Sequence, residues 1–392
     1  MDKVVITGYG IKAPNVEDKL QFKTVLEHGI CTHRVMKDRV NGLNMVCGVI
    51  DDDFKVIRGK NLKRYPRLSR FAMSAADDAM DMAGFTDKDS LRIAVILGTS
   101  AGGISEIEQY SSGGAVYEKI PLHSVAVANT HSLSAAVAQH LDIKGQVFTI
   151  TTGCTSSSDA ILLGKLLLES GQADACVVGG SDAANTDWSF KGFLKIQGVT
   201  PNVDVFETGV PFSNAHQGFV MSEGAGILLL EREKEARARG ASIYGVLEGV
   251  ASLNEGKSIY QSDETGQSML KCLKAAVGEH TPSYVNSQAL GLTVNDRIDR
   301  TVHQTLFGQS VPITSIKGMT GHMLGAMGVI QVISSLLSLE YGFIPPTIKT
   351  RAEGFEDLPI VLETEYRDIH SVAITTHGYG GNDTCLFVTK IS

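Results

Sequence analysis

The stretch TITTGCTSSSDAILLG, residues 149–164, joins a β-branched run to a segment in which small and apolar residues follow a helical spacing. Gly153 allows a tight turn between the two, and Thr155–Ser157 offer hydroxyls that can cap the helix start. Cys154 is therefore predicted at a strand-to-helix turn, beside the positive end of a helix. That environment favours the thiolate, and the same amides can polarise a thioester carbonyl. A buried, unreactive thiol is the alternative interpretation.

Short apolar runs that end in Gly, Ser or Thr recur on both sides of this turn. Continuous Val/Ile runs that alternate with helical segments are typical of strands covered on both faces, which predicts an α/β layered fold. The runs are VVITGYG (4–10), RIAVILGTSAGG (92–103), VFTITTGC (147–154) and ACVVGGSDAA (175–184), and the helical segments are Ser69–Gly84, Ser132–His140 and Ser156–Glu169.

The same alternation begins again after Gly240. Its predicted elements are an apolar run at 243–252, helices near Gly266–Gly278, Asp299–Phe307 and Gly325–Tyr341, and a terminal hairpin at 370–390. We therefore predict two similarly built halves, 1–240 and 241–392, in one rigid body, because no flexible linker separates them. Gly218–Glu231 is predicted to be a strand pair, and the polar stretch Val199–Asn214 a surface loop.

Composition excludes several classes of protein. Of the 392 residues, 43% are hydrophobic and 6% aromatic, which rules out intrinsic disorder. The net charge of −8 and the lack of a Lys/Arg run argue against nucleic acid or an anionic membrane as a partner. An acidic carrier protein could still dock on a local basic patch, formed by Lys60, Lys63, Arg64, Arg67 and Arg70.

The cysteines and the start of the chain bear on the cellular compartment. Six Cys are scattered without a CxxC pair, which argues against a zinc site or disulfide framework and for a reducing environment. The start MDKVVITGYG lacks a signal-peptide pattern, and no window has 18 uninterrupted apolar residues. The sequence shows no metal-ligand cluster and no dinucleotide fingerprint. We expect a soluble, cytoplasmic protein without a bound metal.

Two further motifs carry polar residues in Gly-rich turns. SIKGMTGHMLGAMG (315–328) places Lys317 and His322 five residues apart, where the imidazole could hydrogen-bond to a reacting carbonyl and the ammonium could supply positive charge. A helix cap is the alternative interpretation of the histidine. HGYGGND (377–383) is a Gly-dense loop that can bring backbone N–H groups close to a ligand, although a plain hairpin turn would look the same.

These stretches together resemble the β-ketoacyl-acyl-carrier-protein synthases of the thiolase superfamily, over essentially the whole chain. The motifs that match in order and spacing are VVITGYG, LGTSAGG, TTGCTSSSDA, VVGGSDAA, PFSNAHQGFVMSEGAGILLLE, ARARGASIYG, SIKGMTGHMLGAMG, PPTI (345–348) and HGYGGND. The resemblance implies a thiolase-like five-layer α-β-α-β-α fold of two βαβαβαββ halves and an obligate dimer. It also implies acyl transfer from the phosphopantetheine of an acyl carrier protein, with no cofactor held by this chain.

The resemblance also implies roles for single residues. Cys154 would be the nucleophile that takes the acyl chain, and His322 the second of the family's two histidines. Lys317 would be the family's lysine, and Asp299 takes the place of a structural glutamate. The amides of Cys154 and Tyr379 would form the oxyanion hole, and Tyr379 would replace the aromatic gate over the acyl pocket.

The first histidine of the family is missing. In YVNSQALGLTVND (284–296), Gln288 stands where that histidine belongs, and Leu290 and Leu292 replace two threonines that hydrogen-bond to the pantetheine arm. A glutamine can donate to a thioester carbonyl but cannot exchange a proton near neutral pH. His377 replaces an aromatic residue and is a possible surrogate base, or a loop imidazole that packs where the ring would lie. Further departures from the family pattern are His216, Gln217 and Asn382–Asp383.

Three interpretations of the function remain. The protein can be an acyl-cysteine enzyme whose condensation with a malonyl unit uses His322, with His377 partly replacing the missing histidine. It can transfer acyl groups through Cys154 without condensation. It can also be a catalytically degenerate partner of a complete ketosynthase, like the chain-length factors of type II polyketide systems, which typically lose the cysteine. The expected partners are an acyl carrier protein and either a second copy or a complete ketosynthase.

Overall fold

The computed structural model describes residues 2–40, 42–51, 64–85, 88–112, 114 and 117–391. The strands in these ranges are β1 (Val4–Lys12), β2 (Arg34–Val40), β3 (Leu43–Gly48), β4 (Ile93–Gly98), β5 (Val147–Ile150), β6 (Ala175–Asp182), β7 (Met221–Ser222), β8 (Gly224–Arg232), β9 (Gly245–Asn254), β10 (Tyr284–Asn286), β11 (Ile313–Thr314), β12 (Phe343–Ile344), β13 (Glu365–Tyr366), β14 (Ser371–Gly378) and β15 (Asn382–Thr389).

The helices in the same ranges are α1 (Lys19–Glu27), α2 (Arg67–Ala83), α3 (Ile104–Ser111), α4 (Ser124–Ala128), α5 (Ser132–His140), α6 (Ser156–Glu169), α7 (Asp187–Lys195), α8 (Glu233–Ala238), α9 (Gln267–Val277), α10 (Thr293–Leu306), α11 (Lys317–Thr320) and α12 (Met327–Tyr341). Short 3₁₀ turns occupy Tyr117–Lys119 and Leu324–Ala326. Helices α5 and α6 have the bounds that the sequence predicts, and the terminal hairpin is confirmed as β14 and β15.

The two halves repeat one strand order. The main sheet runs β11-β10-β14-β15-β9-β1-β8-β6-β4-β5. In the first half, β4 lies between β5 and β6 and is parallel to both, and β8 is antiparallel to β1 and β6. In the second half, β10 lies between β11 and β14 and is parallel to both, and β15 is antiparallel to β9 and β14. The halves meet where Val5 and Ile6 of β1 pair with Val246 and Gly245 of β9. The proposed boundary at residue 240 falls in the connection between α8 and β9.

Five layers follow from how the helices cover this sheet. Helices α6 and α12 are packed between the two halves, in a core with apolar residues of β1, β6, β8 and β14. Helices α2 and α5 cover the outer face of the first half, and α9 and α10 that of the second. The segment Leu324–Tyr341 has the length and hydropathy (mean 1.4) of a membrane span, but 89% of it is buried inside the protein. It is the central core helix, and the thiolase-like α/β fold is confirmed.

Three sequence-based predictions need correction. Residues 218–231 do not form a strand pair, because β7 pairs with β3 while β8 lies between β1 and β6. The stretch 199–214 is only partly a surface loop, since Phe212 is buried and its N–H donates to Asp296 Oδ2 at 2.8 Å. Helix α10 begins at Thr293, six residues before the predicted start at Asp299. In each case, packing against a distant segment outweighs the local polarity pattern.

Candidate active site

Cys154 lies at the predicted turn between β5 and α6. Gly153 has φ +70°, a conformation that favours glycine, and a Cβ there would lie 3.2 Å from the carbonyl oxygen of Tyr379. The Asn382 amide donates to Thr152 O at 3.2 Å and so ties the loop after β14 to the same turn. The glycine therefore allows the Gly-dense loop to approach the cysteine closely.

The hydroxyls after Cys154 do not cap α6 as predicted. Thr155, at the N-cap position, makes no side-chain cap bond, and its Oγ1 donates to Thr152 O at 2.9 Å instead. Ser156 Oγ donates to Thr99 O at 3.2 Å, at the end of β4. These hydroxyls fix the turn to itself and to a neighbouring strand, because those carbonyls are within reach in the folded chain.

A cavity of about 490 Å³ opens at Cys154 and collects most of the predicted site residues. The predicted residues in its lining are Cys154, Gln288, Leu290, Leu292, His322, His377 and Tyr379. Lys317 and Asp299 are buried behind this lining. The structure thus brings together a thiol, two imidazoles and an amide that are spread over more than 220 residues of sequence.

The thiolate predicted at Cys154 is not favoured in the structure. Burial and then the nearby Asp182 carboxylate raise the pKa of the thiol to about 12. The backbone N–H of Tyr379 and the charge of Lys317 lower the pKa, but by less. The prediction from the helix end was wrong because it left out the loss of hydration, which disfavours the charged form.

His322 is held by its backbone at the wall of the cavity. Its N–H donates to Val220 O at 2.8 Å, and its ring packs edge-on against Phe219 with centroids 5.4 Å apart. Burial, with the charge of Lys317, lowers its pKa to about 3, so the ring is neutral at pH 7. Within the described part of the chain, Nδ1 has no hydrogen-bond partner. A neutral imidazole is thus available to a reacting group.

Lys317 and Asp299 lie behind the cavity wall, where both side chains are buried. Lys317 Nζ donates to Ser287 O at 3.1 Å, and burial lowers its pKa to about 7 against the opposing effect of the carboxylates and Cys154. Asp299 accepts hydrogen bonds from Ser287 Oγ and Thr375 Oγ1, and burial raises its pKa. The aspartate therefore orders the segment that leads to Gln288, as a structural acid would.

Gln288 lies in the cavity wall, as the alignment of motifs predicts. Its backbone N–H donates to Thr375 Oγ1 at 2.9 Å, and its Nε2 donates to the carbonyl oxygen of His377 at 3.3 Å. Its Oε1 has no partner among the described residues. The amide can form a hydrogen bond with a polar group of a ligand, but it cannot act as an acid or a base near neutral pH.

His377 is more than a ring filling the place of an aromatic side chain. Its Nδ1 lies 2.7 Å from Asp383 Oδ1, and its Nε2 lies 2.8 Å from Ser262 Oγ. Burial lowers its pKa, but the Asp383 hydrogen bond and the charges of Asp383 and Glu255 together raise it above the ordinary value. The interpretation as a merely packed imidazole is therefore not supported.

The same cluster could hold a metal ion. Potential ligand atoms of Glu255, His377 and Asp383 all lie within 4.8 Å of one another, although no such cluster is visible in the sequence. Glu255 is more than 120 positions from His377 and Asp383 along the chain and meets them because β9, β14 and β15 are neighbours. The close His377–Asp383 hydrogen bond favours a proton over a metal between these two side chains.

Two structural carboxylates were missed by the sequence analysis. Asp182, at the end of β6, accepts hydrogen bonds from the N–H groups of Ser100, Ala101 and Gly325. Asp296 similarly accepts from Leu290 N at 2.9 Å. Asp182 lies in the VVGGSDAA motif, where a carboxylate directly after a buried strand was a usable signal. Nothing local in the sequence indicates the Asp296 bonds.

Comparison with known proteins agrees with this architecture. The model of the β-ketoacyl synthase N-terminal domain matches residues 1–236, and that of the β-ketoacyl synthase C-terminal domain matches residues 244–351. The chain belongs to the β-ketoacyl synthase family. As a family member, it has the two-part α/β structure that motif order predicts.

Two relatives are similar to this chain over nearly its whole length. The tetracenomycin polyketide synthase ketoacyl synthase alpha subunit of Streptomyces glaucescens is 30% identical, over 97% of this chain and 95% of that protein. The 3-oxoacyl-[acyl-carrier-protein] synthase 2 of Staphylococcus aureus is 28% identical, over 99% and 98%.

Solved structures show the same fold. A type II polyketide synthase acyl carrier protein in complex with its ketosynthase contains a chain with TM-score 0.89 and 24% identity, with both chains fully covered. The ishigamide ketosynthase/chain length factor gives TM-score 0.89 at 23% identity, also with full coverage. Ketosynthases and ketosynthase-like partner subunits therefore share the architecture of this ketosynthase-family chain.

Proposed function

We propose that this protein is a β-ketoacyl-acyl-carrier-protein synthase-like acyltransferase of type II polyketide or fatty acid synthesis. It takes an acyl chain from a carrier protein onto Cys154. The observation that supports this most is the cavity where Cys154 and His322 meet, with the Tyr379 N–H close enough to the sulfur to lower its pKa. This cavity gives the thiol access to a substrate.

The acyl transfer uses groups that surround the sulfur. The Cys154 sulfur attacks the thioester carbon and the bond to the pantetheine sulfur breaks, while the amides of Cys154 and Tyr379 bind the developing oxyanion. The thiol proton must leave, and neutral His322 or the deprotonated fraction of Lys317 can accept it. Phosphopantetheine is supplied by the carrier protein, and Leu290 and Leu292 offer its arm apolar contacts.

Condensation with a malonyl unit is the next step that the family carries out, and here its rate depends on His322. The carboxylate of malonyl leaves as carbon dioxide, and the carbanion left behind attacks the acyl carbon on Cys154. The bond from that carbon to the Cys154 sulfur then breaks, and the released thiolate takes up a proton. Gln288 can hold the malonyl thioester oxygen by hydrogen bonding, but it cannot transfer a proton. If the condensation with a malonyl unit does not occur, the proposed function is acyl transfer through Cys154 alone.

A second candidate is a chain-length-factor-like partner of a complete ketosynthase. The replacement of both threonine positions by Leu290 and Leu292, together with Gln288, favours it, because these changes remove polar contacts at the pantetheine arm. One solved structure with a similar fold is the ishigamide ketosynthase/chain length factor. In this role the cavity of this chain would shape the product while another subunit performs the chemistry.

A dimer is proposed in either case, through the edge strand β5. Among the described strands of the main sheet, β5 pairs only with β4, so its outer edge is open. Val147 and Phe148 on this strand are about 40% exposed, and Tyr117 and Val125, on the segment that leads to α5, are 86% and 80% exposed. An open strand edge beside apolar side chains fits pairing with a second copy or with a complete ketosynthase.

We propose a cytoplasmic location, and a docking surface for the acidic carrier protein that differs from the basic patch predicted from sequence. Arg67 is committed to the buried Glu223, with a side-chain contact of 2.6 Å. Lys60 and Lys63 lie outside the described residues. The mouth of the cavity, where Ile196 and Tyr260 are exposed, offers a surface through which pantetheine can enter.

Intact-mass analysis tests the acyl transfer. Purified protein incubated with acyl-carrier protein should gain one acyl group, and Cys154→Ala should abolish this gain. The control variant Cys31→Ala, at a half-buried cysteine that does not line the cavity, should be acylated like the wild type. Equal acylation of Cys154→Ala and wild type would contradict the proposal.

Co-purification separates the two candidates. A partner subunit forms a stable heterodimer with a complete ketosynthase, and Cys154→Ala leaves the product yield of that heterodimer unchanged. If this protein is the enzyme, Cys154→Ala abolishes the product.

The dimer interface is tested by a substitution on the edge strand β5. Phe148→Glu should shift the dimer towards monomer in light scattering. Leu20→Glu, at an exposed leucine of α1, is the matched control and should stay dimeric. A dimeric Phe148→Glu would argue against the β5 edge as the interface.

A further inference from the structure

The cavity contains a second polar arrangement that acyl transfer through Cys154 does not require. Ser262 Oγ lies 2.8 Å from His377 Nε2, and Nδ1 of the same ring lies 2.7 Å from Asp383 Oδ1. A hydroxyl, an imidazole and a carboxylate thus form two consecutive hydrogen bonds. We propose that Ser262, His377 and Asp383 form a hydrolytic triad that cleaves acyl thioesters entering the cavity.

The buried carboxylate sets the tautomer that a general base needs. An ionised carboxylate can only accept, so Asp383 holds the proton of the neutral ring on Nδ1. Nε2 is then the acceptor for the Ser262 hydroxyl, as in serine hydrolases. Asp383 and His377 are 1% and 5% exposed, so water competes little for this pair. Asp383 Oδ2 has no partner among the described groups, which leaves the carboxylate committed to the imidazole.

Contacts of Glu255 hold Ser262 in front of the ring. The N–H of Asp263, the next residue, donates to Glu255 Oε2 at 2.8 Å. The N–H of Glu255 itself donates to Gly381 O at 2.8 Å, in the turn between β14 and β15. The serine loop and the strand pair that carries His377 and Asp383 are therefore fastened to each other through one residue.

The hydroxyl of Ser262 is accessible from the cavity, whereas the carboxylate of Asp383 is not. Ser262 is half-buried and lines the cavity together with His377 and Cys154, whereas Asp383 lies behind the ring and does not line it. An acyl thioester that reaches Cys154 therefore passes the same cavity as the serine. This separation of an open hydroxyl from a covered carboxylate is the geometry that a triad requires.

The reaction consumes one water and yields a carboxylic acid and a thiol. Ser262 Oγ attacks the thioester carbon while its proton passes to His377 Nε2, and the C–S bond breaks as the sulfur takes that proton. Water then attacks the acyl-serine ester with His377 Nε2 as base. The C–O bond to Ser262 breaks, and the proton returns to Oγ. This activity goes beyond acyl transfer to Cys154 and would remove chains from the protein.

The test uses the full-length protein with Cys154→Ala, so that labelling does not depend on the proposed acyl transfer. A fluorophosphonate probe should modify Ser262, identified by peptide mapping, and an acyl-N-acetylcysteamine thioester should be hydrolysed. Ser262→Ala should abolish labelling and lower hydrolysis at least about 100-fold, and Asp383→Asn at least about tenfold. Ser258→Ala removes a hydroxyl from the same loop, where it accepts from two loop amides, and should keep both activities.

Hydrolysis, labelling by the probe and the response to EDTA together decide between a triad and a metal site. Hydrolysis by Ser262→Ala at the rate of its parent, or the absence of labelling in the parent, would overturn the triad. Dialysis against EDTA should leave labelling unchanged, and a loss that Zn²⁺ restores would instead assign Glu255, His377 and Asp383 as metal ligands. Because intact-mass analysis of acylation at Cys154 in the wild type is a separate measurement, failure of the triad leaves the acyl-transfer proposal untouched.

Discussion

The side-chain amide of Gln288 donates a hydrogen bond at 3.3 Å to the main-chain carbonyl of His377. Gln288, which motif order predicts at the position of the family's first histidine, is thus attached to the strand that carries His377. Its Oε1 is left without a partner among the described residues. The amide gives the cavity hydrogen-bonding capacity at this position without a group that titrates near neutral pH, and a histidine at residue 288 would supply one.

Gln288→His should increase the decarboxylation of malonyl-carrier protein at least about tenfold, because an imidazole can exchange a proton and an amide cannot. Release of carbon dioxide, measured with labelled malonyl groups, reports the change. Gln288→Asn keeps an amide and should bring no increase. If a folded Gln288→His variant that is acylated at Cys154 showed no gain, the missing histidine would not be what limits condensation.

Alkylation of Cys154 by iodoacetamide should be slow at pH 7 and rise about tenfold for each pH unit up to pH 9. The reason is that the pKa of this thiol is raised to about 12, so that the thiolate fraction grows in proportion to hydroxide throughout this range. Peptide mass spectrometry at a series of pH values measures the rate. A plateau between pH 7 and 9 would show that the turn favours the thiolate after all.

Asp182→Asn should lower the free energy of unfolding by about 2 kcal/mol. The two oxygens of this carboxylate accept four hydrogen bonds, among them those from Thr99 Oγ1 at 2.7 Å and Gly325 N at 2.7 Å, and an amide NH₂ would face a donor. Urea denaturation gives the difference. Asp368→Asn, at an exposed carboxylate, should change stability by less than about 0.5 kcal/mol, and an equal effect of both variants would contradict the assignment.

The wild type should lose stability between pH 7 and pH 5 more steeply than His322→Gln. Burial lowers the pKa of His322 to about 3, well below its ordinary value near 6.5. The unfolded chain therefore binds a proton that the folded chain refuses, so this contribution is complete above pH 6.5 and is lost as the pH falls towards 3.

The expected difference between pH 7 and pH 5 is about 2 kcal/mol in the free energy of unfolding, from urea titrations at both values. His370→Gln, at an exposed imidazole, should keep the wild-type slope. Parallel curves for wild type and His322→Gln would show that the imidazole of residue 322 is hydrated.

Local patterns predicted the elements that carry their own apolar runs or helical spacing. The bounds of α5 and α6, the terminal hairpin and the renewed alternation of strands and helices after Gly240 follow from apolar runs and helical spacing alone. The predictions failed where a segment has a distant partner, as at the start of α10, whose first turn is ordered by bonds between Asp296 and backbone groups of Phe212 and Leu290.

For the candidate site, sequence motifs predicted which residues line the cavity, but they did not predict the pKa values of those residues. The lining of one cavity by Cys154, Gln288, His322, His377 and Tyr379 matches the motif-based expectation. The direction of the Cys154 pKa did not, because the burial and the Asp182 carboxylate that raise this pKa come from residues that are distant in the sequence. No local pattern encodes that burial.

The order of motifs along the chain determined the family, the layered α/β fold and the position of Cys154 at a strand-to-helix turn, since each depends on short stretches that carry their own turn and strand signals. Only the tertiary structure decided which ionisation states those residues hold and that Ser262 meets His377 and Asp383. Both depend on burial and on contacts between residues more than 100 positions apart, which arise when β9, β14 and β15 pair in one sheet.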